Sequence, residues 1–212
     1  MKLRLLAIVA ASCSLLPGQE LFSWNTFEVA APLARGWELT LHSRLRTRHE
    51  FHQIAQVRGG PQISYRYQRW NLRGAYYFEP DHSATNHPAR GYWESGHRVF
   101  GSADLTLHPE RRVAVIPRFM WERFFTADRG NYNRYRSGAR VNFGARTGPY
   151  LQHEWMFVAG GLQILRNGAG MRIAAGRHWS IEGGWLFDRR RGDWGGNRQA
   201  IISSVRYEWG ER

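Results

Sequence analysis

Residues 201–212 read IISSVRYEWGER. Ile201, Ser203, Val205, Tyr207 and Trp209 make one set, and Ile202, Ser204, Arg206, Glu208 and Gly210 the interleaved one. Strict alternation predicts a strand with two unlike faces, because successive side chains point to opposite sides of a sheet. In a soluble protein the apolar face meets a core. In an outer-membrane barrel it meets lipid, and the polar face turns inward.

The same pattern recurs along the chain. WELTLHSRLR (37–46) sets Trp37, Leu39, Leu41 and Leu45 against Glu38, Thr40, His42, Arg44 and Arg46. WNLRGAYYFE (70–79) sets Trp70, Leu72, Tyr76 and Phe78 against Asn71, Arg73 and Glu79. VFGSADLTLH (99–108), RVAVIPRFMWERF (112–124), RYRSGARVNF (134–143) and HWSIEGGWLFD (178–188) alternate likewise. About ten residues of period-two patterning, repeated this often, predict an all-β protein. The connections alternate in length. PLARGW, YQRWN, HPERR, RTGP and GRHW are tight, whereas TRHEFHQ, EPDHSATNHPARG, TADRGNYN, GGLQILRNG and RRRGDWGGN are longer. Short turns on one rim and long loops on the other predict an antiparallel transmembrane β-barrel of about ten to twelve strands, with short periplasmic turns and longer extracellular loops. Ten regular wall strands are expected. The first segment, LFSWNTFEVAA, is impure: Phe22 and Trp24 fall on one face and Phe27 and Val29 on the other. Either a further strand completes an even number, or, as expected here, this irregular segment lies partly inside the lumen or periplasm.

The N-terminus reads MKLRLLAIVAASCSLLPGQE, with a positive start at Lys2 and Arg4 and an apolar run from Leu5 to Ala11. This is the outline of a signal peptide over 1–19, leaving a barrel over 20–212. Cys13 is the only cysteine of the 212 residues, so the exported chain has no disulfide, thiolate ligand or thiol nucleophile. No apolar run approaches the ~18 residues of a transmembrane helix, and the mean hydropathy is −0.55. A barrel remains open, since only one face of each strand need be apolar. The formal charge is +13 over the whole chain, and Lys2 is the sole lysine. In an exported chain the anionic partners are lipid phosphates and acidic solutes rather than nucleic acid.

A W-x-L-x-L strand leading into RLRTR (44–48) is followed by YRYQRWNLRGAYYF, HRVFGSADLTL, PRFMWERFF, YNRYRSGARVNF and GPYLQHEWMF. In that order these segments resemble the bacterial outer-membrane barrels grouped as domain of unknown function 2490, over most of the chain from about Phe22 to Trp209. The resemblance implies a barrel in the Gram-negative outer membrane, in contact with lipid and lipopolysaccharide, and implies no reaction. Resemblance to outer-membrane barrels in general also implies that the closing strand, with Tyr207 and Trp209, is read by the barrel-insertion machinery. Such strands commonly end on the aromatic itself, whereas Gly210, Glu211 and Arg212 follow here.

Candidate site residues are arginines. Arg134, Arg136 and Arg140 share one face, Arg44 and Arg46 repeat the device, and Arg73 adds to it. They outnumber the acids that alternation places nearby on that face. A positive lumen strip open to small anionic solutes is one expectation, since arginine rings favour anions in porin-like pores. A lumen filled by its own side chains is the other, because about eight strands already leave little spare room. Complete pairing would mean a plug, and unpaired arginines around open space an anion path. No catalytic constellation, cofactor site or metal site is expected. His49, His52, His82 and His87 lie in loop sequences, and HEFH is not the helical H-E-x-x-H motif. A lipid-modifying enzyme, with a serine and a base at the outer rim, remains an alternative, as does a soluble exported β-sheet binding module.

Overall fold

The computed structural model describes residues 20–48, 51–82, 93–108, 112–126, 130–158, 161–191 and 196–210. The expected signal peptide and its Cys13 lie outside the described residues. The rest is all-β. Eleven strands form the wall: β1 (Glu20–Pro32), β2 (Trp37–Arg48), β3 (Gln53–Tyr67), β4 (Trp70–Phe78), β7 (Gly96–Leu105), β8 (Val113–Thr126), β9 (Tyr132–Phe143), β10 (Gly148–Val158), β11 (Gly161–Ala175), β12 (Trp179–Arg190) and β13 (Arg198–Glu208). A small hairpin, β5 (Asp81–His82) and β6 (Trp93–Glu94), extends from β3 at the long-loop rim. Each wall strand pairs with its sequence neighbour, and β1 pairs with β13 to close the barrel.

The closing pair is parallel, with Phe22 opposite Ala200, Trp24 opposite Ile202 and Glu28 opposite Arg206. Every other wall pair is antiparallel, and an odd number of up-and-down strands forces one parallel contact. This corrects the expectation for the first segment, which is a full wall strand paired to β2 and β13. Its alternation is regular once register is known. Phe22, Trp24 and Glu28 turn inward while Phe27 and Val29 turn outward. The pattern reads as impure because two of its inward residues are aromatic. GGLQILRNG is also corrected. It is not a long loop, since β11 starts at Gly161.

The tight turns follow from local chemistry. Between β1 and β2, Arg35 and Gly36 both have positive φ (44° and 88°), and the Trp37 amide donates to the Ala34 carbonyl at 2.9 Å. Two positive-φ centres give the mirror-image turn whose twist matches that of a hairpin. A Cβ on Gly36 would lie against the Arg66 carbonyl, so only glycine fits.

The two faces of the wall are inverted relative to a soluble sheet. Leu41 is 60% exposed, while Thr40 beside it is 0% exposed. Phe27, Ile63, Leu72, Phe119, Leu151, Ile173, Ile181 and Ile201 are likewise exposed outward, whereas Arg58, Arg98, Asp104, Glu122, Glu154 and Asp188 are buried. Among the described residues the buried apolar side chains include two small inward clusters, Phe22 with Leu186 and Ala200, and Tyr77 with Phe100 and Met120, while Phe124, Tyr150, Met156 and Ile164 are buried outside these clusters.

Candidate functional site: an ion-paired barrel interior

Strand pairing brings inward side chains of neighbouring strands side by side, and many of the charged ones meet a partner of opposite charge. Arg58 donates to Glu79 through Nη2 (2.5 Å) and Nε (2.9 Å). Glu79 also meets Arg98 at 3.5 Å, and Arg98 donates to Glu122 at 3.0 Å. Glu122 is 0% exposed and takes Arg134 at 2.5 Å and Arg136 at 3.6 Å. Arg136 bonds Glu154 at 2.5 Å, Glu154 meets Arg166 at 3.7 Å, and Arg166 forks onto Asp188 at 2.7 and 2.8 Å. The result is a belt of alternating charge around the inside of the wall from β3 to β12. A buried charge is tolerable only when paired and hydrogen-bonded, and the belt supplies that for its carboxylates.

Other pairs lie toward the short-turn end. Asp104 receives Arg73 (2.5 Å) and Arg118 (2.7 Å), Arg140 forks onto Glu182 (3.0 and 2.7 Å), and Arg206 reaches Glu28 and Glu38. His42 Nδ1 shares a 3.0 Å hydrogen bond with Glu28, and its ring stacks on Tyr77. A cavity of about 160 Å³ lies at this end, lined by Glu28, Glu38, Gln62, Ser64, Arg66, Asn71, Arg73, Arg206 and Glu208.

Glycines let the interior fill. Tyr150 is 1% exposed, and the Arg140 guanidinium lies 3.9 Å from its ring centroid. A Cβ on Gly170 or Gly184 would stand 2.7 or 2.8 Å from the Tyr150 hydroxyl. Gly168 similarly admits Gln152 and Leu186. A glycine inside a strand often marks such a close approach.

All six arginines of the expected strip turn inward. The structure gives carboxylate partners to Arg73, Arg134, Arg136 and Arg140. Arg44 and Arg46 make no ion pair among the described residues. Arg44 Nε donates to Thr26 Oγ1 at 3.0 Å, and Arg46 lies over the Trp24 ring at 4.3 Å with its Nε buried and unbonded. Sequence reasoning did not single out Glu28, Arg98, Glu154 or Arg166. Arg98 and Arg166 alternate in phase with inward residues, but Phe100 beside the first and the loop-like GGLQILRNG around the second hide the phase.

Tyr207 and Trp209 stand at the short-turn end of the closing strand. Tyr207 packs on Trp179 at 4.7 Å, and the Trp209 amide donates to Ala30 across the parallel seam at 2.6 Å. Among the described residues no three His, Cys, Asp or Glu side chains gather as a metal site. His49 and His87 of the loop sequences lie outside the described residues. His42 is held by Glu28, and its Nε2 is buried without a hydrogen-bond partner among the described residues. No protein-family model matches the chain, and comparison with curated proteins finds no significant relative.

Proposed function

We propose that the chain is a bacterial outer-membrane barrel whose wall meets lipid and whose interior is closed by its own ion pairs, giving a structural membrane protein rather than a wide pore. The single observation that carries this is the inversion of the wall: contiguous apolar side chains face out while Glu122 and its arginines face in. A soluble monomer rarely leaves an apolar surface of that extent open to water. Wall strands of 9 to 15 residues suit a bilayer, which needs about 9–11 tilted residues per strand. Two further features agree. Trp37, Trp70 and Trp179 are exposed at the short-turn rim, where an aromatic belt belongs. Beside them the turns carry the exposed Arg35, Arg69, Arg112, Arg146 and Arg177, suited to headgroup phosphates. The resemblance of the strand segments to the domain 2490 barrels accords with this reading. The test is fractionation of the native cell with a heat-modifiability gel. Recovery in the outer membrane as a heat-modifiable band is expected, and recovery as a soluble periplasmic protein overturns the reading.

A narrow anion path is the second reading. Arg44 and Arg46, which make no ion pair among the described residues, favour it. Planar-bilayer current with anion selectivity would support it, and the absence of current from folded protein would leave the closed barrel.

A further inference from the structure

The belt of alternating charge breaks at one place. It runs from Arg58 to Asp188, and the strands that would complete the circle are β13, β1 and β2. The acids these strands carry at the short-turn end, Glu28, Glu38 and Glu208, gather on Arg206 at 3.4, 2.6 and 3.6 Å. Arg44 and Arg46 are left on the inner face of β2 with no carboxylate in ion-pair contact among the described residues. Arg44 stands directly opposite Arg58, a like charge already committed to Glu79. Adjacent like charges in a ladder repel, and uncompensated charge in a protein interior is costly.

The gap has the features of a ligand site. Trp24 receives Arg46 at 4.3 Å and Arg166, the partner of Asp188 at the far end of the belt, at 4.6 Å, so one indole spans the gap with cation–π contacts in place of an acid. Thr26 fixes Arg44 through its Nε. The terminal guanidinium nitrogens of Arg44 and Arg46 bond to none of the described residues. Side chains two residues apart on a strand start ~7 Å apart, a distance that a tetrahedral oxyanion bridges with a bond of ~2.8 Å on each side. Resting on the reading of the chain as a barrel with a polar interior, we propose that Arg44 and Arg46 bind one free oxyanion of the phosphate type, which takes the place of the acid missing from the belt. The anion supplies the counter-charge that completes the circle, and the indole of Trp24 holds the Arg46 fork in place.

The experiment titrates inorganic phosphate into the full-length barrel, folded in detergent at low ionic strength, by calorimetry, with melting temperature as a second readout. Saturable binding to a single site and a raised melting temperature are expected. Arg46→Gln weakens binding about tenfold or more, the scale of one charge-assisted hydrogen bond lost. Arg44→Gln with Arg46→Gln abolishes binding and, having removed the repulsion, melts no lower than the phosphate-free parent. Arg46→Lys keeps the charge, loses the fork and binds more weakly, while Arg35→Gln in the exposed turn binds as the parent does. Absence of saturable binding by folded parent protein, or unaltered binding by the double variant, overturns the proposal. Displacement of phosphate by a short-chain phosphatidic acid but not by sulfate also overturns it, in favour of a lipid headgroup. The titration needs only the folded barrel, so its failure is separate from a failure of the outer-membrane assignment, which fractionation decides.

Discussion

Glu122 on β8 and Arg134 on β9 face one another inside the wall, Oε2 to Nε at 2.5 Å, and the same carboxylate takes Arg98 and Arg136 on either side. Like Glu154 it meets three arginines, and it is fully shielded from solvent. Glu122→Gln leaves three guanidiniums around a neutral amide. Breaking a buried pair this way costs about 3–5 kcal/mol. Urea unfolding of the folded barrel should show that loss, whereas a change of under about 1 kcal/mol, the range of exposed pairs, would mean a hydrated interior.

Tyr150 should hold the interior closed toward the short-turn end. It lies over Gly170 and Gly184 beneath the Arg140 guanidinium. Tyr150→Ala should destabilise the barrel by about 3–5 kcal/mol, as large aromatic truncations do. Gly184→Ala should also destabilise it, because the new methyl meets the Ala169 backbone carbonyl and, at 2.8 Å, the Tyr150 hydroxyl. Pairing Gly184→Ala with Tyr150→Phe, which removes that hydroxyl, should recover part of the loss. Unfolding midpoints of the two single variants and the pair check this, and strict additivity would contradict the contact.

Charge should be rejected on one face of the wall. Leu41→Arg places a cation on the exposed apolar face, at about 2–4 kcal/mol if that position sits at a bilayer midplane. Ser64→Arg enters the cavity beside Glu28 and Glu38 and should be accepted. Yields of heat-modifiable barrel measure both, and equal yields would argue against a lipid-facing wall.

Alternation was enough to read the strands, the two faces and the length pattern of most connections, because a period of two survives any register. Register itself was not legible. The seam needs β1 to run parallel to β13, and nothing local in LFSWNTFEVAA states which strand will lie beside it. Thr40 illustrates the cost. Alternation puts it on the polar face, where arginine looks acceptable, yet it is 0% exposed and has no room for one. Pairing of the arginines was hidden for the same reason. Arg140 meets Glu182, 42 residues away, and only the closed wall brings them together. Arg44 and Arg46 stood out as arginines in the sequence, but their lack of acids became visible only once every neighbour's partner was known.

The closing strand should carry the insertion signal. Tyr207 and Trp209 border the seam, and Trp209 bonds Ala30 through its backbone. Tyr207→Ala with Trp209→Ala should abolish heat-modifiable protein in the membrane fraction, while truncation after Trp209 should not. Normal insertion of the double variant would contradict this.

The lipid-facing wall is the central claim, and a chain whose one cysteine, Cys13, lies outside the described residues makes it directly measurable once Cys13 is replaced by serine. Single cysteines at Leu41, Leu151 and Ile201 on the outer face, and at Ser64 and Asn71 in the interior, would each carry a nitroxide in the reconstituted barrel. Collision with oxygen against collision with a water-soluble nickel chelate then reports the solvent at each site. Oxygen-rich, nickel-poor labels at the three outer positions and nickel-accessible labels at the two inner ones are the predicted result. Nickel-accessible labels at Leu41, Leu151 and Ile201 would contradict the account.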